Sequence, residues 1–273
     1  ERHDPANRGK GYALAVAIPR ALAAGADAVV VLDADCELGR DTLRQMDAAL
    51  AAGAGAVQAA RVPRNPDAGP AAVVQAVGSA IENAVSAGRC RLGGSAALRG
   101  SGMAFTRAVL ERHPWASYGL TEDAEYGAEL ARGGVRVRFL PDAVVRGEVP
   151  AEVSALARQR KRWRAALYGG GPGLLGRWLA SKPLVLAHLM LTAAVVGALS
   201  AWVPVLFPLW AAVLLGLTAA VYLRAVRRAG VKSRGFWQAA GIVPRLAWVT
   251  LAGLADRGRP WERTPRAAEA GQS

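Results

Sequence analysis

From Pro183 to Leu223 the chain carries no charged side chain over 41 residues. A helix needs about 20 apolar residues to cross a hydrocarbon core of about 30 Å, so the stretch is long enough for two crossings. Pro204 and Pro208 predict the turn of a transmembrane hairpin over 183–223. Basic residues flank it, from Arg158 to Lys182 before and at Arg224, Arg227, Arg228, Lys232 and Arg234 after. Such flanks prefer the cytoplasmic side, and Trp178, Trp202 and Trp237 fall where interfacial rings settle. The expected placement is a bacterial-type cytoplasmic membrane, multi-pass, with the rest of the chain facing the cytosol. A buried soluble hairpin is the rival, although uncharged runs of this length are rare in soluble cores. Within 235–255, Gln238, Pro244 and Arg245 interrupt the apolar pattern and suit an interfacial helix better than a third crossing.

The formal charge of +13 invites a nucleic-acid reading, but its distribution argues against one. Residues 1–150 hold 17 basic and 17 acidic groups, whereas 151–273 hold 17 basic and 4 acidic. The excess therefore accompanies the apolar runs and suits anionic lipid, so membrane lipid is an expected partner. The neutral half lacks a basic face interleaved with aromatics, and no nucleic acid is expected. Cys36 and Cys90 make no disulfide framework, and His3, His113 and His188 show no zinc spacing.

Ahead of the hairpin the pattern alternates between strand and helix. The run Asp27 to Leu32 reads as a buried parallel strand. Leu43, Met46 and Leu50 follow at helical spacing, and Gly53 to Gly55 precede a strand over Ala56 to Val62. A helix from Ala71 to Val85, a strand at Met103 to Thr106, a helix from Thr121 to Gly133 and a strand over Val135 to Leu140 continue the rhythm. This predicts an α/β fold with a mostly parallel sheet and ligands beyond the carboxyl ends of its strands. A basic helix over Glu152 to Tyr168 ends at a linker beginning Gly169-Gly170-Gly171-Pro172-Gly173.

Three clusters carry chemistry, each with a plainer alternative. Asp33 and Asp35 leave a strand on one side; their hard oxygens suit Mg2+ or Mn2+, or they are ordinary strand-end acids. Thr121-Glu122-Asp123 opens a helix: Thr121 reads as an N-cap, and the acids either compensate the dipole or supply a base. In the second case the dipole is expected to keep Asp123 ionised and able to accept a hydroxyl proton. Gln159-Arg160-Lys161-Arg162-Trp163 offers guanidinium forks for phosphate and a flat ring for a sugar, or binds anionic lipid. Arg8-Gly9-Lys10-Gly11 lacks the flanking residues of a P-loop, and Gly100-Ser101-Gly102 lacks the spacing of a hydrolase elbow.

In order and spacing these clusters resemble the family 2 glycosyltransferases with a membrane hairpin, the cellulose-synthase-like and hyaluronan-synthase-like enzymes. The matching stretches also include Asn7-Arg8-Gly9-Lys10-Gly11-Tyr12-Ala13-Leu14, Gly100-Ser101-Gly102-Met103 and Trp261-Glu262-Arg263-Thr264. The resemblance implies a GT-A, Rossmann-like domain over 1–168, followed by a linker over 169–182, the hairpin over 183–223, and a basic loop, interfacial helix and tail over 224–273. It implies inverting transfer of a hexose from a UDP- or GDP-sugar donor to a growing polysaccharide. Asp33 and Asp35 would hold Mg2+ or Mn2+ and the donor diphosphate, and Asp123 would be the base. Arg160 and Arg162 would steady the leaving diphosphate, Lys10 would add a phosphate contact, and Gln159 and Trp163 would position donor and acceptor. Family members begin with a strand and an Asp-bearing loop that this chain lacks, so an incomplete domain that binds nucleotide poorly by itself is expected. The rivals are single-sugar transfer to a lipid or lipid-linked acceptor and a non-catalytic membrane scaffold.

Overall fold

The computed structural model describes residues 3–4, 6–156, 195, 206–232 and 237. Two compact units divide the chain, Glu1–Asn65 with Ser79–Val149, and Pro66–Gly78 with Pro150–Ser273.

The first unit is built on a five-stranded sheet in the order β1-β4-β3-β5-β2. Its strands are β1 (Ala28–Val31), β2 (Cys36–Leu38), β3 (Ala56–Pro63), β4 (Met103–Thr106) and β5 (Val137–Gly147). Its helices are α1 (Lys10–Ala23), α2 (Thr42–Ala51), α3 (Pro70–Arg91, whose first turns fall in the second unit), α4 (Arg107–Arg112) and α5 (Glu122–Arg132). Only β3 and β5 pair in parallel; β1 with β4, β4 with β3, and β5 with β2 run antiparallel. The expectation of a mostly parallel sheet is thus corrected, because an apolar run reports burial and not the direction of its neighbour.

Alternation across β3 divides the core. Ala56 and Ala60 join Ile18, Phe105, Tyr126 and Leu130 on one face, while Val57 and Ala59 join Met46, Ala104 and Val145 on the other. With both faces covered, β3 is apolar over Ala56–Ala60 except at Gln58. The strand expected to be buried at 27–32 behaves differently: among the described residues β1 pairs on one side only, and Val30 and Leu32 are 39% and 37% exposed. On α1, Leu14, Ile18 and Leu22 recur at helical spacing and pack on the first core face.

In the second unit, Ala71 and Leu156 are buried with Val74 and Val153 packed against them. A helix here called α6 runs Leu206–Ala229, so Pro208 lies in its first turn, where a missing N–H costs nothing, instead of in an inter-helix turn. Its segment Leu209–Ala229 is long and apolar enough to cross a membrane, with mean hydropathy 1.8. Leu209, Trp210, Leu215, Leu217 and Val221 are exposed along it, and Arg227 and Arg228 close it. Apart from Val195, the first half of the expected hairpin lies outside the described residues, as do the linker 169–182 and the tail beyond residue 237.

Candidate active site

Three segments of the first unit converge at the end of β1. Lys10 opens α1, Asp33 follows β1, and the turn Arg99–Gly102 leads into β4. The Lys10 ammonium donates to Asp33 Oδ1 and to the Gly100 carbonyl. The Asp33 N–H donates to Ser101 Oγ at 3.1 Å, and Ser101 is fully buried. The turn itself is tied to β1 by Gly102 N–H, which donates to Val31 O at 2.9 Å. Gly102 has φ 72°, and a β-carbon there would stand 2.6 Å from Val145 Cγ2, so only glycine permits this approach to the sheet.

The start of α5 brings in the other acids. Glu122, Tyr126 and Leu130 recur every fourth residue and form its buried face. Tyr126 packs edge-on to Phe105 at 5.4 Å and against Trp115 at 4.4 Å, and its hydroxyl donates to His113 O at 2.7 Å. That anchorage fixes Asp123, half-buried beside the stripe. A β-carbon at Gly100 would be 3.5 Å from Asp123 Oδ2 and 3.6 Å from Lys10 Nζ, so ammonium and carboxylate surround one backbone position. Thr121 occupies the N-cap position, but its side chain caps nothing; Asp123 Oδ1 instead accepts from Ala124 N–H at 2.8 Å.

Burial pushes the Asp123 carboxyl above the usual carboxylate range, opposed by the Ala124 N–H, Lys10 and Arg61. Loss of hydration thus outweighs the favourable N–H groups and cations, so the helix start does not hold this carboxyl below the usual range. Glu122 is also raised, by burial first and then by the negative charge of Asp123. Arg99, held by Glu82 and Asn83, is pushed down to about 10 by burial and by Arg61.

The donor set fits a divalent cation. Ligating atoms of Asp33, Asp35 and Cys36 lie within 4.8 Å of one another. Asp33 Oδ1 takes Lys10, while Oδ2 accepts no hydrogen bond among the described residues. Hard carboxylate oxygens suit Mg2+ or Mn2+, while burial raises the Cys36 thiol's pKa and disfavours its ligating thiolate form. Cys36 was not among the expected ligands, although its place directly after Asp35 could have suggested it.

Lys10, Asp33, Asp35 and Asp123 thus occupy one region, whereas Gln159, Arg160, Arg162 and Trp163 lie outside the described residues. Sequence reasoning also missed Arg61 on β3, whose charge acts on Asp123 and Cys36. A cation among the apolar residues of a central strand was the available signal.

The seat of Lys10 depends on close contact between α1 and the segment before α5. Tyr12 stacks on Tyr118 at 4.6 Å, and a β-carbon at Gly11 would lie 2.2 Å from Ser117 O. Gly11→Ala should therefore destabilise the chain by about 1–3 kcal/mol through overpacking against backbone. Thermal melting checks this, and an unchanged melting temperature would show that α1 can shift freely.

The family model described as glycosyltransferase like family 2 matches residues 1–166. No curated protein matches the chain. Among solved structures, the mannosyltransferase PcManGT from Pyrobaculum calidifontis, in complex with GDP-Man and Mn2+, is similar at 23% identity, covering 93% of this chain and 69% of its own, with a TM-score of 0.46.

Proposed function

The chain belongs to the family 2-like glycosyltransferases, and from that premise we propose that it transfers a hexose from a UDP- or GDP-sugar to a growing polysaccharide, with inversion and dependence on Mg2+ or Mn2+, at the cytoplasmic face of a membrane. The mixed α/β sheet with its family match is that of a GT-A-like glycosyltransferase. The observation that carries the finer reading is the gathering of Lys10, Asp33 and Asp123 around Gly100.

Asp33 and Asp35 hold the cation in this proposal, with Cys36 beside them. When bound, the cation neutralises negative charge on the departing diphosphate. Lys10 orients Asp33 and supplies positive charge next to it. Asp123, with its raised proton affinity, accepts the proton of the acceptor hydroxyl as that oxygen attacks the anomeric carbon; a base is more effective as its pKa approaches the working pH. Arg160 and Arg162 add phosphate contacts, and Gln159 and Trp163 position donor and acceptor. The exposed apolar surface of α6, closed by Arg227 and Arg228, supports anchorage in lipid.

The test incubates membranes carrying the full chain with a panel of UDP- and GDP-sugars and either Mg2+ or Mn2+. One donor is expected to be consumed, with products that lengthen over time and with loss of turnover on chelation. A single-sugar product would replace the polysaccharide reading, and turnover indifferent to chelator would remove the metal.

A further inference from the structure

β3 carries one polar side chain in its fully buried stretch, Gln58, which is 0% exposed between Val57 and Ala59. An amide in such surroundings persists only when its hydrogen-bonding groups are met. Gln58 Nε2 donates to Ala59 O at 2.9 Å, Ser101 O at 3.0 Å and Gly102 O at 3.3 Å. Its Oε1 accepts from Arg99 N–H at 2.9 Å. The side chain thereby grips both ends of the Arg99–Gly102 turn, and within that turn Ser101 N–H donates to Arg99 O at 2.9 Å. What the turn presents outward is the Gly100 carbonyl to Lys10 and the Ser101 hydroxyl to the Asp33 N–H.

We infer that Gln58 is a positioning residue for the reaction: through the Arg99–Gly102 turn it holds Lys10 and Asp33 in the arrangement that receives the cation and the donor diphosphate. The inference rests on the reading of Asp33 as a cation ligand. Gln58 makes no hydrogen bond to Lys10 or Asp33, so its effect passes through the backbone of the turn and the Ser101 hydroxyl. A leucine fills similar volume but cannot bind Arg99 N–H or Ser101 O. A glutamic acid can do both while protonated, since its hydroxyl donates and its carbonyl accepts. Once ionised, it cannot donate.

The experiment uses the full chain as wild type, Asp33→Asn, Gln58→Leu and Gln58→Glu. Binding of Mn2+ alone is followed by electron paramagnetic resonance, and amide hydrogen exchange is read at Asp33 and residues 99–102. Gln58→Leu is expected to weaken Mn2+ binding about 10–100-fold, the range for groups that orient a metal ligand, and to speed exchange at those amides. Relative to wild type at each pH, Gln58→Glu is expected to bind normally under acidic conditions and to lose binding as pH rises. This reversible loss within one folded protein keeps the test decisive if the leucine variant does not fold. Wild-type binding and exchange in Gln58→Leu, or a flat pH ratio in Gln58→Glu, would overturn the inference. Wild-type Mn2+ binding by Asp33→Asn would instead overturn the cation reading beneath it.

Discussion

Asp123→Asn is expected to lower transfer by about 10²–10⁴-fold, the usual contribution of a positioned general base, with no loss of folded protein. Asparagine keeps the shape and an oxygen able to accept the Ala124 N–H, but it cannot take a proton. The stability argument has a definite sign. Burial raises the folded-state pKa of Asp123 above its unfolded value, so the native chain binds more protons between the two values. Stability contributed by this group is full below the unfolded pKa and is lost as pH rises through the folded one. Above both values the ionised carboxylate therefore costs stability, and there the asparagine variant should melt no lower than wild type. The same shift moves the acid limb of the wild-type kcat/KM profile above the ordinary carboxylate range. Steady-state rates across pH, paired with thermal melts, check both statements; full activity in Asp123→Asn would hand the base role to another group, with buried Glu122 next to be tested.

Removing the carboxylates at the end of β1 should be comparably severe. Charge stabilisation by a bound cation contributes several kcal/mol, and about 1.4 kcal/mol is tenfold in rate, so Asp33→Asn and Asp35→Asn should each lose about 10²–10⁴-fold in transfer. The two differ in how they fail. Asp35 is exposed and its loss should leave melting nearly unchanged, within about 0.5 kcal/mol as for other surface changes; added Mn2+ should restore part of its activity. Asp33 is half-buried and paired with Lys10, so its replacement also leaves the ammonium without its carboxylate, and extra Mn2+ should restore less. A titration of initial rate against Mn2+ concentration separates these outcomes. Equal rescue of both variants would mean that the Lys10 pair does not support the site.

The local pattern was legible where one face of an element meets one environment. The strand read at Met103 to Thr106 has those same limits as β4, and the one read at Ala56 to Val62 extends by one residue as β3. The helix opening at Thr121 is α5, since Tyr126 and Leu130 repeat at the spacing of a buried stripe. Less was legible where length or partnership decides. The three-residue β2 exists through its pairing with β5, and the α3 helix runs six residues beyond the Val85 end that periodicity suggested. Of the site, Asp33, Asp35, Asp123 and Lys10 were read from motifs. The Lys10 contacts with Asp33 and Gly100, the raised pKa of Asp123 and the grip of Gln58 on its turn were not, because each depends on residues 23 to 113 positions apart in the chain or on removal of water.

By itself the sequence determined the alternation of strands and helices, the apolar stretch with basic flanks, and which side chains had the chemistry for phosphate, cation and proton transfer. Those properties are local: they follow from side-chain type and from the periods of helix and strand. Only the tertiary structure decided which strands run antiparallel, that β1 pairs on one side among the described residues, and that Lys10, Asp33 and Asp123 share one surface. Such outcomes arise when distant segments bury one another, because hydration lost and hydrogen bonds regained depend on the partner and not on the segment.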